Sequence, residues 1–192
     1  MDDDLMTTVM VDNPRVNEGS EWVVFTVSGS AGEELTLSLQ EGSGPGYADI
    51  DESRNLEYWD GSEWVSAASS VEMPSEGRLL VRAAIGQEQD EAYEGAETLE
   101  LQVMASGRAA VSGTATIADD GTGVIYPDVA PGAGGTPVST STGLDDDRRV
   151  MVDNPRVNEG SEWVVFTVSG SAGEELTLSL QEGSGPGYAD ID

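Results

Sequence analysis

The stretch EWVVFTVSG (residues 21–29) sets Trp22, Val24 and Thr26 against Val23, Phe25 and Val27. That is the two-residue period of a β-strand, and no helical period competes with it. Working outward, ELTLSLQ (34–40) sends Leu35, Leu37 and Leu39 to one face. LEYWDGSEWV (56–65) reads as two short strands around Asp60-Gly61, a dipeptide that takes the positive φ of a tight hairpin turn. Further strands are expected at 78–85, 96–104 and 109–117, with a first one at 7–11. Asp12-Asn13-Pro14 breaks or bulges that first strand, where a proline is tolerated only at a sheet edge. Seven or more short strands at this spacing define an all-β chain, an antiparallel β-sandwich of Ig-like type.

Residues 9–51 return unchanged as residues 150–192, a 43-residue repeat at an offset of 141. Identical units at a domain-sized period multiply a fold for length or valency. The expectation is a slice of a tandem array, structural rather than enzymatic. Residues 5–123 form one complete sandwich repeat, and 150–192 form the incomplete N-terminal third of the next. Between them, residues 124–149 are rich in Gly, Pro, Ser and Thr, with few side chains suited to anchor them in a core, and read as an interdomain linker. The partners expected are neighbouring identical repeats, with self-association by strand exchange as a second route.

Charge narrows the function. The chain carries 37 acidic residues against 8 basic ones, a net charge of −29, and every basic residue is arginine. It repels nucleic acid and anionic membranes, and it repels itself, so salt or a divalent metal is expected to offset the acids. With no cysteine and no histidine, disulfides, thiolate metal sites, histidine-based triads and most zinc hydrolase sites are excluded. No apolar run reaches the roughly 20 residues of a membrane helix, so no membrane insertion is expected. The acidic start MDDDLMTTVM is unlike a signal peptide, which places any export signal outside this stretch.

Most of the acids read as solvated surface, turn formers or guards of exposed strand edges. Those clustered at predicted strand ends stand apart. They are Glu18 in VNEGS, Asp49 and Asp51 in YADID, Asp90, Glu91, Glu94 and Glu97 in QDEAYEGAE, and Asp119-Asp120 in IADDGTG. Asp145, Asp146 and Asp147 immediately precede the second copy, as Asp2, Asp3 and Asp4 precede the first. Calcium draws six to eight oxygens at about 2.3–2.6 Å from carboxylates, carbonyls and water, whereas magnesium accepts fewer protein ligands. Loops of a sandwich gather at its two ends, so acids far apart in sequence can meet at one pole. Trp22 reads as core. Trp59 and Trp64, flanking the hairpin turn, suit either cross-strand pairing or stacking on a sugar.

The ordered series VNEGS, LEYWDGSEWV, LLVRAAI, DEAYEGAETLEL and GTATIADDGTG closely resembles the Calx-β-like extender repeats of giant RTX adhesins exported by type I secretion. The resemblance covers residues 5–123, and DDDRR at the end of the linker resembles the acidic joint between such repeats. It implies a calcium-binding β-sandwich on the bacterial cell surface, with Ca2+ held by Glu18, Asp51, Asp90, Glu94, Glu97, Asp119 and Asp120. Gln89 stands where the family often has another aspartate. The implied role is an extracellular extender in cell adhesion and biofilm formation, spacing a distal binding domain from the cell. The alternatives are a calcium-dependent glycan-binding module, or a filament or surface-layer subunit.

Overall fold

A computed structural model describes residues 8–40, 48, 56–67, 70–86, 88–90 and 93–181. Its strands are β1 (Met10–Val11), β2 (Arg15–Asn17), β3 (Trp22–Ser28), β4 (Glu34–Gln40), β5 (Leu56–Trp59), β6 (Trp64–Ser66), β7 (Val71–Glu72), β8 (Arg78–Ala84), β9 (Glu97–Ala105), β10 (Val111–Ala118), β11 (Met151–Val152) and β12 (Val168–Ser169). Two five-stranded sheets, ordered β1-β3-β8-β5-β6 and β2-β10-β9-β4-β7, pack face to face as a β-sandwich. The two-residue period of β3 places Val23, Phe25 and Val27 in the core, all fully buried, against Leu35, Leu99, Leu101 and Ile117 of the other sheet. Each buried side chain of this size stabilises by about 1.5–3 kcal/mol.

The break at Asp12-Asn13-Pro14 is where the chain changes sheets. β1 pairs antiparallel with β3, and β2 pairs with β10 in the only parallel ladder among the described residues. Asp12 holds one sheet, its Oδ1 accepting from the Thr26 amide at 2.8 Å, and Asn13 Oδ1 accepts from the Thr114 amide of the other at 2.7 Å. Both segments are edges, as the proline requires. Gly113 makes the crossing possible, since a Cβ there would lie 2.2 Å from the Asp12 carbonyl oxygen.

The hairpin at 56–65 forms as its sequence indicates. Asp60 Oδ1 accepts from the Ser62 and Glu63 amides, and Gly61 takes φ of 102°. These amides hold the Asp60 carboxyl below its ordinary range. β3, β8 and β10 run so that Met10, Ser28 and Arg78 lie at one pole, and Asn17, Trp22 and Ala118 at the other. The chain therefore comes in at one end of the sandwich and leaves it at the opposite end.

One reading gains detail and another needs correction. Residues 124–149 are anchored well beyond what a flexible spacer needs. Tyr126 packs against the core, Ile125 and Thr140 exchange backbone hydrogen bonds at 2.8 and 2.9 Å, and the intervening loop lies over the outer face of the β3-β8 sheet. Trp22 is also not in the core between the sheets. It stands half-buried on that outer face, with the Arg82 guanidinium stacked 3.7 Å from its ring centre and 4.4 Å from that of Trp64. This loop explains why Val24 and Arg82, on the face away from the core, are only 5% and 6% exposed.

The second copy keeps its local pairing. β11 and β12 pair Met151 with Ser169 and Val152 with Val168, the register that β1 and β3 use in the first copy. Its apolar faces are open, with Trp163 77% and Leu178 75% exposed.

Candidate metal centre

The acids converge where the chain leaves the sandwich. β2 ends at Asn17 against Ala118 of β10, and a tight turn follows, closed by the Ser20 amide donating to the Asn17 carbonyl at 3.0 Å. That turn tucks Glu18 inward to 5% exposure, while Asp119, first residue after β10, is 2% exposed. Asp119 Oδ2 accepts from the amides of Glu94 and Gly95 at 2.6 and 3.0 Å. Asp119 Oδ1 and Glu18 Oε1 are buried and have no hydrogen-bond partner among the described residues. Buried carboxylate oxygens left bare are costly, and a bound cation or an ordered water is what satisfies such oxygens.

Asp145 and Asp147 complete the group from the far end of the 124–149 segment. Glu18, Asp145 and Asp147 each offer an oxygen, all within 4.8 Å of one another. Asn17, fully buried, sews this joint down. Its Nδ2 donates to the Thr122 and Asp145 carbonyls at 3.1 and 2.9 Å, and its Oδ1 accepts from the Asp145 amide at 2.7 Å. Gly123 lies so close to β2 that a Cβ would sit 2.5 Å from the Val16 carbonyl carbon.

The electrostatics follow from this crowding. Burial, then the charges of Asp119 and Asp145, push the Glu18 carboxyl up to about 8, an amide hydrogen bond from Asp90 opposing them. Burial and the Asp145 charge also raise Asp147. Like charges about 4 Å apart repel by roughly 1 kcal/mol in water and about 4 kcal/mol at the effective dielectric near a protein surface. A divalent cation reverses the sign of that interaction. The donor set is all oxygen, which suits a hard cation such as calcium, and the residues present fit one.

The remaining acids expected here divide. Asp90 reaches the group through its backbone amide, and Glu94 through an amide given to Asp119. Glu97 begins β9, opposite Ile117. Asp120 turns away: its Oδ1 accepts from the Thr122 hydroxyl and lies 3.6 Å from Arg15, and these partners lower its carboxyl. Asp146 pairs with Arg148 at 2.5 Å. Gln89 donates to Asp145 Oδ2 at 3.2 Å, a neutral hydrogen bond in place of another charge. Asp49, Asp51 and Glu91, with Asp2, Asp3 and Asp4, lie outside the described residues. Sequence reasoning missed Asn17, though it stands inside the VNEGS motif, because an amide beside an acid has no metal signature of its own.

The tryptophans of the hairpin pair across the strands, Trp59 opposite Trp64 with ring centres 5.5 Å apart and edge-on. Among the described residues no helix is long and apolar enough to cross a membrane.

No family model and no curated protein sequence matches the chain. Solved structures similar to it include the periplasmic chaperone SfaE, at 12% identity and a TM-score of 0.34. The match covers 58% of this chain and 56% of the chaperone, so the chain spans little more than half of that protein's length. A conjugative transposon lipoprotein from Bacteroides eggerthii matches at 13% identity and a TM-score of 0.30, over 58% of this chain and 93% of the lipoprotein.

Proposed function

We propose that this sandwich is a calcium-stabilised extender repeat of a large extracellular bacterial adhesin, spacing the cell surface from a distal binding domain. One observation carries the reading. Glu18, buried with an unpartnered oxygen, meets Asp145 and Asp147 at the pole from which the chain continues into the next copy, and the buried Asp119 carboxylate lies close enough to push the Glu18 carboxyl up. Calcium there neutralises the group and ties the outgoing joint to the domain. Glu18 and Asp119 would hold it from the sandwich, and Asp145 and Asp147 from the joint. Because the chain comes in at the opposite pole, successive repeats join end to end, the arrangement that turns repeat number into length.

The rival readings gain less support. A glycan site built on Trp59 and Trp64 competes with Arg82 and the Val129 carbonyl, which already engage Trp64. Strand exchange replaces the first copy by an identical second copy, so no contact is gained and the shorter local loops win. Melting curves in calcium, magnesium and chelator at low salt test the proposal. Calcium at ~100-fold over its Kd adds roughly 2.7 kcal/mol, which raises Tm by about 10 °C or more, magnesium adding less. A chelator that leaves the melting temperature where calcium put it refutes the metal role.

A further inference from the structure

Residues 124–145 leave one point of the domain and return to it. The Val124 carbonyl accepts from the Asn17 amide at 2.9 Å, and Asp145 is held by the Asn17 side chain through two hydrogen bonds. Between them the chain runs out and back. Ile125 bridges Thr140, and Gly132 bridges Thr136 at the tip. On the way it docks on the outer sheet face. Pro127, Val129, Pro131, Pro137 and Val138 lie over Trp22, Val24 and Arg82. The Asp128 carboxylate pairs with Arg82 at 2.6 Å, and the Trp64 indole N–H donates to the Val129 carbonyl at 3.2 Å. Roughly 20 residues thus add almost nothing to the distance between one repeat and the next, though fully extended they would span about 70 Å.

We infer that this excursion is a length reserve, released under tension before the sandwich itself opens. Mechanics decides the order. Pulling on the two ends draws β1 and β2 one way and β10 the other, and their parallel ladder of Thr116 with Arg15, Ile117 with Val16 and Ala118 with Asn17 is sheared with all its bonds loaded together. The excursion is loaded differently. Once the Asn17–Asp145 pin parts, the Ile125–Thr140 bridge and the Asp128 and Val129 contacts peel one after another. Its docking is also light, an ion pair with a 62% exposed carboxylate and a proline-rich cover over two tryptophans. If the proposed calcium site is correct, the ion bridging Glu18 and Asp119 to Asp145 and Asp147 sets the force at which the reserve opens. This last step rests on that reading, while the reserve itself does not.

Single-molecule pulling on the full chain tests it. The sequence has no cysteine, and Met10 and Met151 are 65% and 62% exposed, so Met10→Cys with Met151→Cys gives two attachment points spanning one repeat and its joint. The expected trace has a first step of about 70 Å, then a larger step from the sandwich at higher force. Deleting residues 127–138 shortens the first step by about 40 Å and leaves the second unchanged. Asp128→Ala, which keeps the whole chain and the Asn17–Asp145 pin, leaves the length and the opening force of the first step unchanged and softens only the peeling that follows. A single step holding all the extension overturns the inference, and so does a first step that keeps its length when residues 127–138 are deleted. A first step of the expected length whose force is the same in calcium and chelator upholds the reserve and refutes the calcium reading.

Discussion

Phe25 and Phe166 occupy the same place in two identical stretches of sequence, yet Phe25 is fully buried and Phe166 is 46% exposed. Both stretches make the same short antiparallel pair in the same register, and in both the aspartate before the break accepts from a threonine amide, Asp12 from Thr26 and Asp153 from Thr167. What differs is the company. The first copy is covered by β8 on its own sheet and by β9 and β10 across the core, strands that come from residues 78–118. Local pattern sets the pairing, while burial and its energy come from strands far along the chain.

Core truncation should separate the copies most sharply. Phe25→Ala removes a side chain packed on all sides and should cost about 3–5 kcal/mol, enough to lower Tm by 15 °C or more. Phe166→Ala should leave the melting curve within about 1 °C, because the ring has no such surroundings. Equal losses at the two positions would show that the second copy is packed as well as the first.

The acid pole gives the next contrast, between Glu18 and its exposed twin Glu159. Glu18→Gln should abolish most of the stabilisation by calcium and, in chelator near neutral pH, raise Tm by several degrees, since an amide is neutral in both states and folding no longer has to protonate a carboxylate. Glu159→Gln should do neither. Differential scanning fluorimetry with and without calcium reads both effects.

A smaller effect is expected from pH. With its carboxyl raised from the ordinary 4.5 to about 8 in the fold, Glu18 holds a proton in the folded state that it has lost in the unfolded chain. Its contribution is therefore complete below pH 4.5 and is lost as pH rises toward 8. In chelator the protein should melt several degrees higher at pH 5.5 than at pH 8, and Glu18→Gln should flatten that slope. In calcium the trend should reverse, because the ion competes with the proton for the same oxygens.

The smallest expected change concerns the docked loop. Asp128→Ala removes a partly exposed ion pair and should cost less than about 1 kcal/mol, yet it should speed cleavage by a nonspecific protease within residues 130–138 severalfold. Unchanged cleavage would mean that the prolines over Trp22 and Trp64 suffice to hold the loop.

Much of this was legible before the fold was known. Alternation at 21–29 and 34–40 gave β3 and β4 within a residue, Asp60-Gly61 gave the hairpin, and Pro14 gave an edge break. That the break carries the chain from one sheet to the other was not legible, because it depends on Gly113 a hundred residues away. Glu18, Asp119, Asp145 and Asp147 were singled out as acids at strand ends, but nothing in one sequence separates Asp119, aimed inward, from Asp120, turned to Arg15. The docked loop left a signal that was passed over. Trp22 and Val24 make one half of the outer face of β3 apolar, and a sheet with apolar residues on both faces needs a second cover.

Calorimetric titration of calcium into the intact chain, at low ionic strength and pH 7.5, goes most directly to the central claim that the acid pole holds a cation. Binding that releases protons, and that is lost in Glu18→Gln and Asp119→Asn but kept in Glu159→Gln, is the predicted result. Calcium heats that are the same in all four proteins would place the ion elsewhere and contradict the account.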